Sequence, residues 1–176
     1  MKKEIEIKFF VDDLAPVRRK LKKLGAKFEG AWSEHDFMLD NRNRDLKKRK
    51  EVLRIRKGDG VSFLTFKSKV RATGGFKVAD EHQLEISDAL TLKKIFGHLG
   101  FKVVFEYKKP RREYWKYFGS HVTLDSFPFG KFVEVEGSEK RIRQIAKKLD
   151  LDFHRTSAKS YRRLVEEYKK NKKITL

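Results

Sequence analysis

The chain has 176 residues, no cysteine and a formal net charge of +19, from 44 Lys and Arg against 25 Asp and Glu. This length suits one domain, residues 1–176, with enough chain to bury a core of its own. The lack of cysteine excludes disulfides, thiolate nucleophiles and Cys-ligated zinc, so carboxylates or histidines must hold any metal. No apolar run approaches the roughly 20 residues of a membrane-spanning helix, and Asp12 and Asp13 interrupt the N-terminal segment. We therefore expect a cytoplasmic protein without membrane contact.

The positive charge has two interpretations. Basic clusters at 47–50 and 141–148 could follow a nucleic-acid backbone. The alternative is a solvated surface rich in Lys, Arg and Glu, of the kind that thermophile proteins often carry. We favour the solvated surface, because the clusters are spread over several elements and are not interleaved with aromatic side chains as in single-strand binders. Nucleic acid is the less favoured partner.

Strands dominate the elements that the hydropathy pattern predicts. The first, over 3–10, alternates apolar and charged side chains with the period of a β-strand. The turn Gly58-Asp59-Gly60 predicts a hairpin, and the stretch 70–77, which contains Gly74-Gly75, predicts a mobile loop. The other predicted strands cover 27–40, 51–57, 61–69, 79–87, 101–117, 120–126 and 131–137.

Four helices are predicted between and after these strands. Apolar residues recur at helical spacing over 13–24, where Asp12 or Asp13 can cap the start and Gly25 follows the end. A second helix is predicted over 89–99, and two basic amphipathic helices complete the chain. Because most strands neighbour other strands, we predict an α+β fold, a closed antiparallel β-barrel of about eight strands with helices packed on the outside.

If the helices cover the apolar strand faces, the charged strand faces point into the barrel. An unpaired buried charge costs several kcal/mol, so these groups must satisfy each other, water or a ligand. Polyphosphate fits best, since guanidinium and ammonium groups bind phosphate oxygens and carboxylates at i and i+2 hold Mg²⁺ or Mn²⁺. The alternative is a solvated strand face with cross-strand ion pairs. We favour the inward-facing interpretation, because charged doublets recur in strand after strand. The predicted inward residues are Glu4, Glu6, Lys8, Arg54, Arg56, Lys67, Glu85, Lys109, Arg111, Asp125, Glu134 and Glu136.

The opening Glu4-Ile-Glu6-Ile-Lys8 resembles the ExExK signature of the CYTH superfamily, the triphosphate tunnel metalloenzymes. Further matches cover nearly the whole chain in family order: Leu53-Arg-Ile-Arg56, Leu64-Thr-Phe-Lys67, Glu85, Lys109-x-Arg111, Asp125, Val133-Glu-Val-Glu136 and Lys159-Ser-Tyr161. The resemblance implies Mg²⁺ or Mn²⁺ bound by Glu4, Glu6, Glu134 and Glu136, with Asp125 and Glu85 as further candidates. It implies a triphosphate held by Lys8, Arg54, Arg56, Lys67, Lys109 and Arg111.

The segment 44–54 and the late Lys-Ser-Tyr are most similar to class IV adenylyl cyclases, which implies conversion of ATP to cyclic AMP and pyrophosphate. A triphosphatase acting on inorganic, thiamine or nucleoside triphosphate is the alternative, because both reactions use the same cradle and differ in the nucleophile and the phosphorus attacked. A non-catalytic module that binds polyphosphate or RNA is a second alternative. Lys8 is the candidate catalytic residue, and the chain is expected to be a monomer or a homodimer.

Overall fold

The computed structural model describes residues 2–174, with side chains described from 2 to 171. The strands are β1 Lys2–Val11, β2 Lys27–Asn41, β3 Val52–Gly58, β4 Ser62–Thr73, β5 Phe76–Ile86, β6 Phe101–Tyr117, β7 Ser120–Phe127, β8 Gly130–Glu136 and the two-residue β9 Thr156–Ser157. The first eight form one antiparallel sheet in the order β5-β4-β3-β2-β6-β7-β8-β1, and β1 also pairs with β5. This pairing closes the barrel, which confirms the predicted fold.

Helices lie outside this barrel. They are α1 Ala15–Lys23, α2 Asp45–Lys48, α3 Ala89–His98, α4 Glu139–Leu149 and α5 Tyr161–Ile174. α1 begins two residues later than predicted, with Leu14 at the N-cap position and Pro16 in the first turn, so neither Asp12 nor Asp13 occupies the cap. Within residues 2–174, no helix is long and apolar enough to cross a lipid bilayer.

The single-turn helix α2 was not predicted. Its backbone N–H groups at Leu46 and Lys47 donate to the Asp40 carboxylate, at 3.1 Å each. A turn that is held by a side chain from the preceding strand has no helical periodicity of its own to detect.

The main apolar core lies between the outer face of the barrel and two helices. Leu21 of α1 and Ile142 and Ile145 of α4 are fully buried against strand residues such as Phe9 and Val133. A second cluster under α3 includes Ile55 and Phe37. Since the helices take the apolar strand faces, the charged faces line the inside, as the sequence predicts.

The predicted mobile loop at 70–77 is wrong. β4 continues to Thr73, and β5 begins at Phe76, whose side chain is buried. Only Gly74 and Gly75 connect the strands, with φ angles of 57° and 84°. Glycine adopts such positive φ values without a steric penalty, so this pair makes a tight hairpin turn.

A bulge in β6 changes which side chains enter the barrel. Trp32 of β2 lies opposite Arg112, and Glu34 lies opposite Lys109, so two steps along β2 match three along β6. One extra residue reverses the alternation of faces beyond Lys109. Arg112 therefore points inward, and Arg111, which the sequence predicted to point inward, lies on the outer surface.

Candidate functional site

The barrel encloses a cavity of about 740 Å³. This volume is typical of small-molecule sites in proteins. Its wall is formed mainly by the charged strand faces, and nine of the twelve residues predicted from the sequence line it. These are Glu4, Glu6, Lys8, Arg54, Arg56, Lys67, Lys109, Glu134 and Glu136.

The other three predicted residues lie elsewhere. Arg111 is 63% exposed and pairs with Glu113 outside the barrel at 3.4 Å. Glu85 is exposed near the end of β5 and does not line the cavity. Asp125 is fully buried and accepts a hydrogen bond of 2.5 Å from the Tyr161 hydroxyl, but it is not part of the open cavity wall.

Lys8 lies between two carboxylates. Its Nζ is 2.8 Å from Glu6 Oε1 and 2.7 Å from Glu134 Oε2, and all three side chains are buried. Burial opposes the charge on Lys8, but Glu134 and Glu6 outweigh burial and raise the pKa of Lys8 above its ordinary value. Lys8 is therefore a cation in this arrangement.

Glu134 is the shared partner of two cations. Arg112 Nη2 donates to Glu134 Oε1 at 2.5 Å, while Lys8 contacts the other oxygen. Burial and the nearby Glu6 both disfavour the carboxylate, yet Lys8 and Arg112 together lower the pKa of Glu134 to about 2. Glu134 is thus ionised at neutral pH.

A second buried network connects β2, β3 and β6. Arg56 makes a bidentate contact with Asp36, at 2.7 and 3.1 Å, and Lys109 Nζ donates to Glu34 at 2.7 Å. The Tyr114 hydroxyl also donates to Glu34. Glu34 was not among the predicted site residues.

Lys109 is fully buried within this network. Burial, followed by the neighbouring Arg112 and Arg56, lowers the pKa of Lys109 to about 8 despite the carboxylates of Asp36 and Glu34. An appreciable fraction of Lys109 is therefore neutral in mildly alkaline solution.

With this geometry established, comparison with known proteins identifies the family, because residues 2–165 match the family model described as the CYTH domain. The chain belongs to the CYTH domain family. A Methanocaldococcus jannaschii protein named "putative adenylate cyclase" is 35% identical over 148 residues, which cover 84% of this chain and 83% of that protein. These findings confirm the resemblance seen in the sequence.

Solved structures share the CYTH barrel. A Pyrococcus horikoshii OT3 protein is 29% identical, with a TM-score of 0.76, and the match covers 92% of this chain and 98% of that chain. A Hippeastrum protein described as a putative adenylyl cyclase with a dominant triphosphatase activity is 16% identical, with a TM-score of 0.66 and 91% of each chain covered. At that identity the likeness shows the fold alone.

The carboxylates of β1 and β8 in this CYTH barrel are all engaged with cations. Glu4 pairs with Lys67, Glu6 pairs with Lys77 as well as Lys8, and Glu136 pairs with Lys2. Among the residues with described side chains, no three carboxylates or histidines are grouped closely enough to hold a metal ion. The donor chemistry nevertheless fits Mg²⁺ or Mn²⁺, because oxygen-donor residues occupy the inward faces of two paired strands, with Glu6 directly opposite Glu136.

The two ends of the CYTH cavity differ in chemistry. At the end marked by the β3–β4 turn, Trp32, Phe63 and Tyr114 line the wall, and we call this the aromatic end. At the other end, where α2 leads into β3, the wall includes Lys47, Lys50, Arg162 and Arg163, and we call this the basic end.

Proposed function

We propose that this CYTH protein binds the triphosphate of a nucleoside triphosphate or a related compound inside its barrel, and that it turns this substrate over with Mg²⁺ or Mn²⁺. The observation that carries the proposal is the convergence of cations from four strands on one cavity. Cations fixed in a buried site bind phosphate oxygens strongly and need little reorganisation during reaction. The cations that converge on this cavity are Lys8, Arg54, Arg56, Lys67, Lys109 and Arg112.

One of these cations has an unused donor. Arg54 Nε is buried and has no hydrogen-bond partner among the residues with described side chains, whereas Arg112 Nε lies 3.6 Å from Asp125 Oδ1. A buried donor without a partner is uncommon in proteins. A phosphate oxygen would supply the acceptor that Arg54 Nε lacks.

The carboxylates of β1 and β8 would hold the divalent cation. Glu4, Glu6, Glu134 and Glu136 would take it in place of their present ammonium and guanidinium partners. When bound, such an ion neutralises charge on the phosphates and polarises a phosphoryl oxygen. Lys8, which is released from Glu6 and Glu134 when these carboxylates take the cation, would neutralise phosphate charge.

The first reaction that we propose is the adenylyl cyclase reaction, in which the ribose 3′-hydroxyl of ATP attacks the α-phosphate and pyrophosphate leaves. The name of the M. jannaschii relative supports it at 35% identity. A cavity of about 740 Å³ also offers room for an organic group beside the phosphates. The barrel residues would contribute by positioning and charge neutralisation.

The second candidate is hydrolysis of the terminal phosphate by water. The same cations would serve this reaction, because hydrolysis also depends on positioning the phosphates and neutralising their charge. The triphosphatase activity described for the Hippeastrum protein is consistent with this reaction on the same fold.

The test is to incubate the purified protein with ATP, thiamine triphosphate and inorganic triphosphate, each with Mg²⁺ and with Mn²⁺, and to resolve the products. Cyclic AMP with pyrophosphate would identify a cyclase, and orthophosphate a triphosphatase. Glu6→Ala and Glu136→Ala should abolish turnover while the near-ultraviolet circular dichroism of the fold persists. Glu85→Ala, which alters an exposed glutamate outside the cavity, is the matched control. Failure to turn over any substrate, or full activity in both cavity variants, would refute the proposal.

A further inference from the structure

The aromatic end contains a stacked pair of rings. The indole of Trp32 lies on the ring of Tyr114, with centroids 4.4 Å apart and an interplanar angle of 18°. Tyr114 is fixed in turn by its hydroxyl contact with Glu34 and by the Arg112 guanidinium, 5.3 Å from its ring centroid. The half-buried Trp32 lines the cavity.

A glycine of β2 leaves space for the indole. A Cβ added at Gly30 would lie 2.4 Å from Cζ3 of Trp32. Gly30 also has a φ angle of +146°, which residues with side chains rarely adopt. The backbone of β2 is thus bare where the ring of Trp32 lies against it.

Trp32 is also placed next to the phosphate-binding candidates. It lies directly opposite Arg112 in the pairing of β2 with β6, and both residues line the cavity. A phosphate bound by Arg112 would therefore carry its organic substituent beside the indole. The terminal phosphate would point toward the basic end, where Lys47 and Arg162 lie.

We propose that Trp32 determines specificity by stacking on a planar heteroaromatic ring of the substrate. This inference rests on the proposed function and deepens it, since it defines the substrate class as organic triphosphates with a planar ring, in preference to inorganic triphosphate. Base stacking on an aromatic side chain contributes enough that its removal weakens binding about tenfold or more. A purely structural Trp32 would affect all triphosphates equally.

The test compares the dissociation constants of ATP and inorganic triphosphate by calorimetry, without added metal. Trp32→Leu should weaken ATP binding about tenfold and inorganic triphosphate binding less than about twofold, while Trp32→Phe should retain most of the ATP affinity. Equal losses for the two ligands, or no loss for either, would overturn the inference.

Fluorescence gives a second readout that does not depend on the folding of Trp32→Leu. The chain has two tryptophans, and Trp115 is 2% exposed in the core. In Trp115→Phe, ATP should quench the emission of Trp32, and inorganic triphosphate should leave it unchanged. Wild-type protein that binds inorganic triphosphate but not ATP or thiamine triphosphate would overturn the inference and leave the triphosphate site standing. Binding of no triphosphate would refute the proposed function itself.

Discussion

Arg112 of β6 and Glu134 of β8 are joined by a contact of 2.5 Å, although β7 lies between their strands. Arg112 thus spans the inward face of β7, where it also donates to Thr123 at 2.8 Å. The contact exists because the bulge in β6 turns Arg112 inward.

Replacing Arg112 should therefore have a much larger effect than replacing its neighbour Arg111. Arg112→Ala leaves the buried Glu134 without one of its charge partners, which should lower the free energy of unfolding by about 2–5 kcal/mol. It also removes a phosphate-binding cation, which should lower triphosphate affinity about 30-fold or more. Arg111→Ala, at a side chain that is 63% exposed, should change affinity less than about twofold. Calorimetric titration with inorganic triphosphate measures both variants, and Arg112→Lys tests whether a bare cation suffices. A larger loss in Arg111→Ala would contradict the register of β6.

Glu134 should contribute to acid unfolding. Its pKa of about 2 in the folded protein lies below the ordinary value of 4.5, so ionised Glu134 stabilises the fold above pH 4.5, and this stabilisation is lost as the pH falls toward 2. A shift of this size corresponds to about 3 kcal/mol. Urea unfolding of Glu134→Gln at several acidic pH values should show a shallower loss of stability than the wild type. Glu139→Gln, on the exposed surface of α4, should keep the wild-type slope, and identical slopes in all three proteins would exclude this role.

Binding of a triphosphate should be coupled to proton uptake by Lys109. Above pH 8 most Lys109 is neutral, because its pKa is lowered to about 8, and a bound anion would raise that pKa again. Calorimetry of inorganic triphosphate in buffers of different ionisation enthalpy, at pH 8 to 9 and at pH 6, measures the uptake. The wild type should take up more protons than Lys109→Met at the higher pH, and the two should agree at pH 6. Equal uptake by both proteins throughout would argue against a lowered pKa.

Tyr161 should stabilise the fold through one hydrogen bond. Its hydroxyl donates to Asp125 Oδ2 at 2.5 Å, while Oδ1 has no hydrogen-bond partner among the described side chains. Tyr161→Phe leaves the buried Asp125 short of a donor, which should lower the free energy of unfolding by about 1–3 kcal/mol. Tyr117→Phe is a control at a partly buried ring and should change stability by less than about 0.5 kcal/mol. Urea unfolding at neutral pH measures both, and equal small effects would show that the bond contributes little.

The sequence alone predicts which side chains point into the barrel wherever a strand alternates strictly between apolar and charged residues. β1 is such a strand, so its alternation alone predicts that Glu4, Glu6 and Lys8 lie inside the barrel, where they are found. The same holds for Arg54 and Arg56 of β3. The barrel follows from the same pattern, because helices with apolar stripes need the apolar strand faces.

Other inward residues could not be found in this way. In β2 the residue between Glu34 and Asp36 is the polar His35, which pairs with Glu106 on the opposite face, so hydropathy does not distinguish the two faces. In β6 the extra residue at the bulge reverses the alternation, and Pro110 beside it cannot donate to the ladder. Pro110 is a local signal that could have pointed to Arg112.

The mutual pairing of charges inside the barrel has a consequence for how ligands would bind. Lys8 forms ion pairs with Glu6 and Glu134, and Lys67 forms one with Glu4. An anion that binds these lysines would therefore release the carboxylates. A divalent cation that takes those carboxylates in turn sets the lysines free. Each ligand would thus make the binding free energy of the other more favourable. Because such coupling is reciprocal, anion and cation would bind with positive cooperativity.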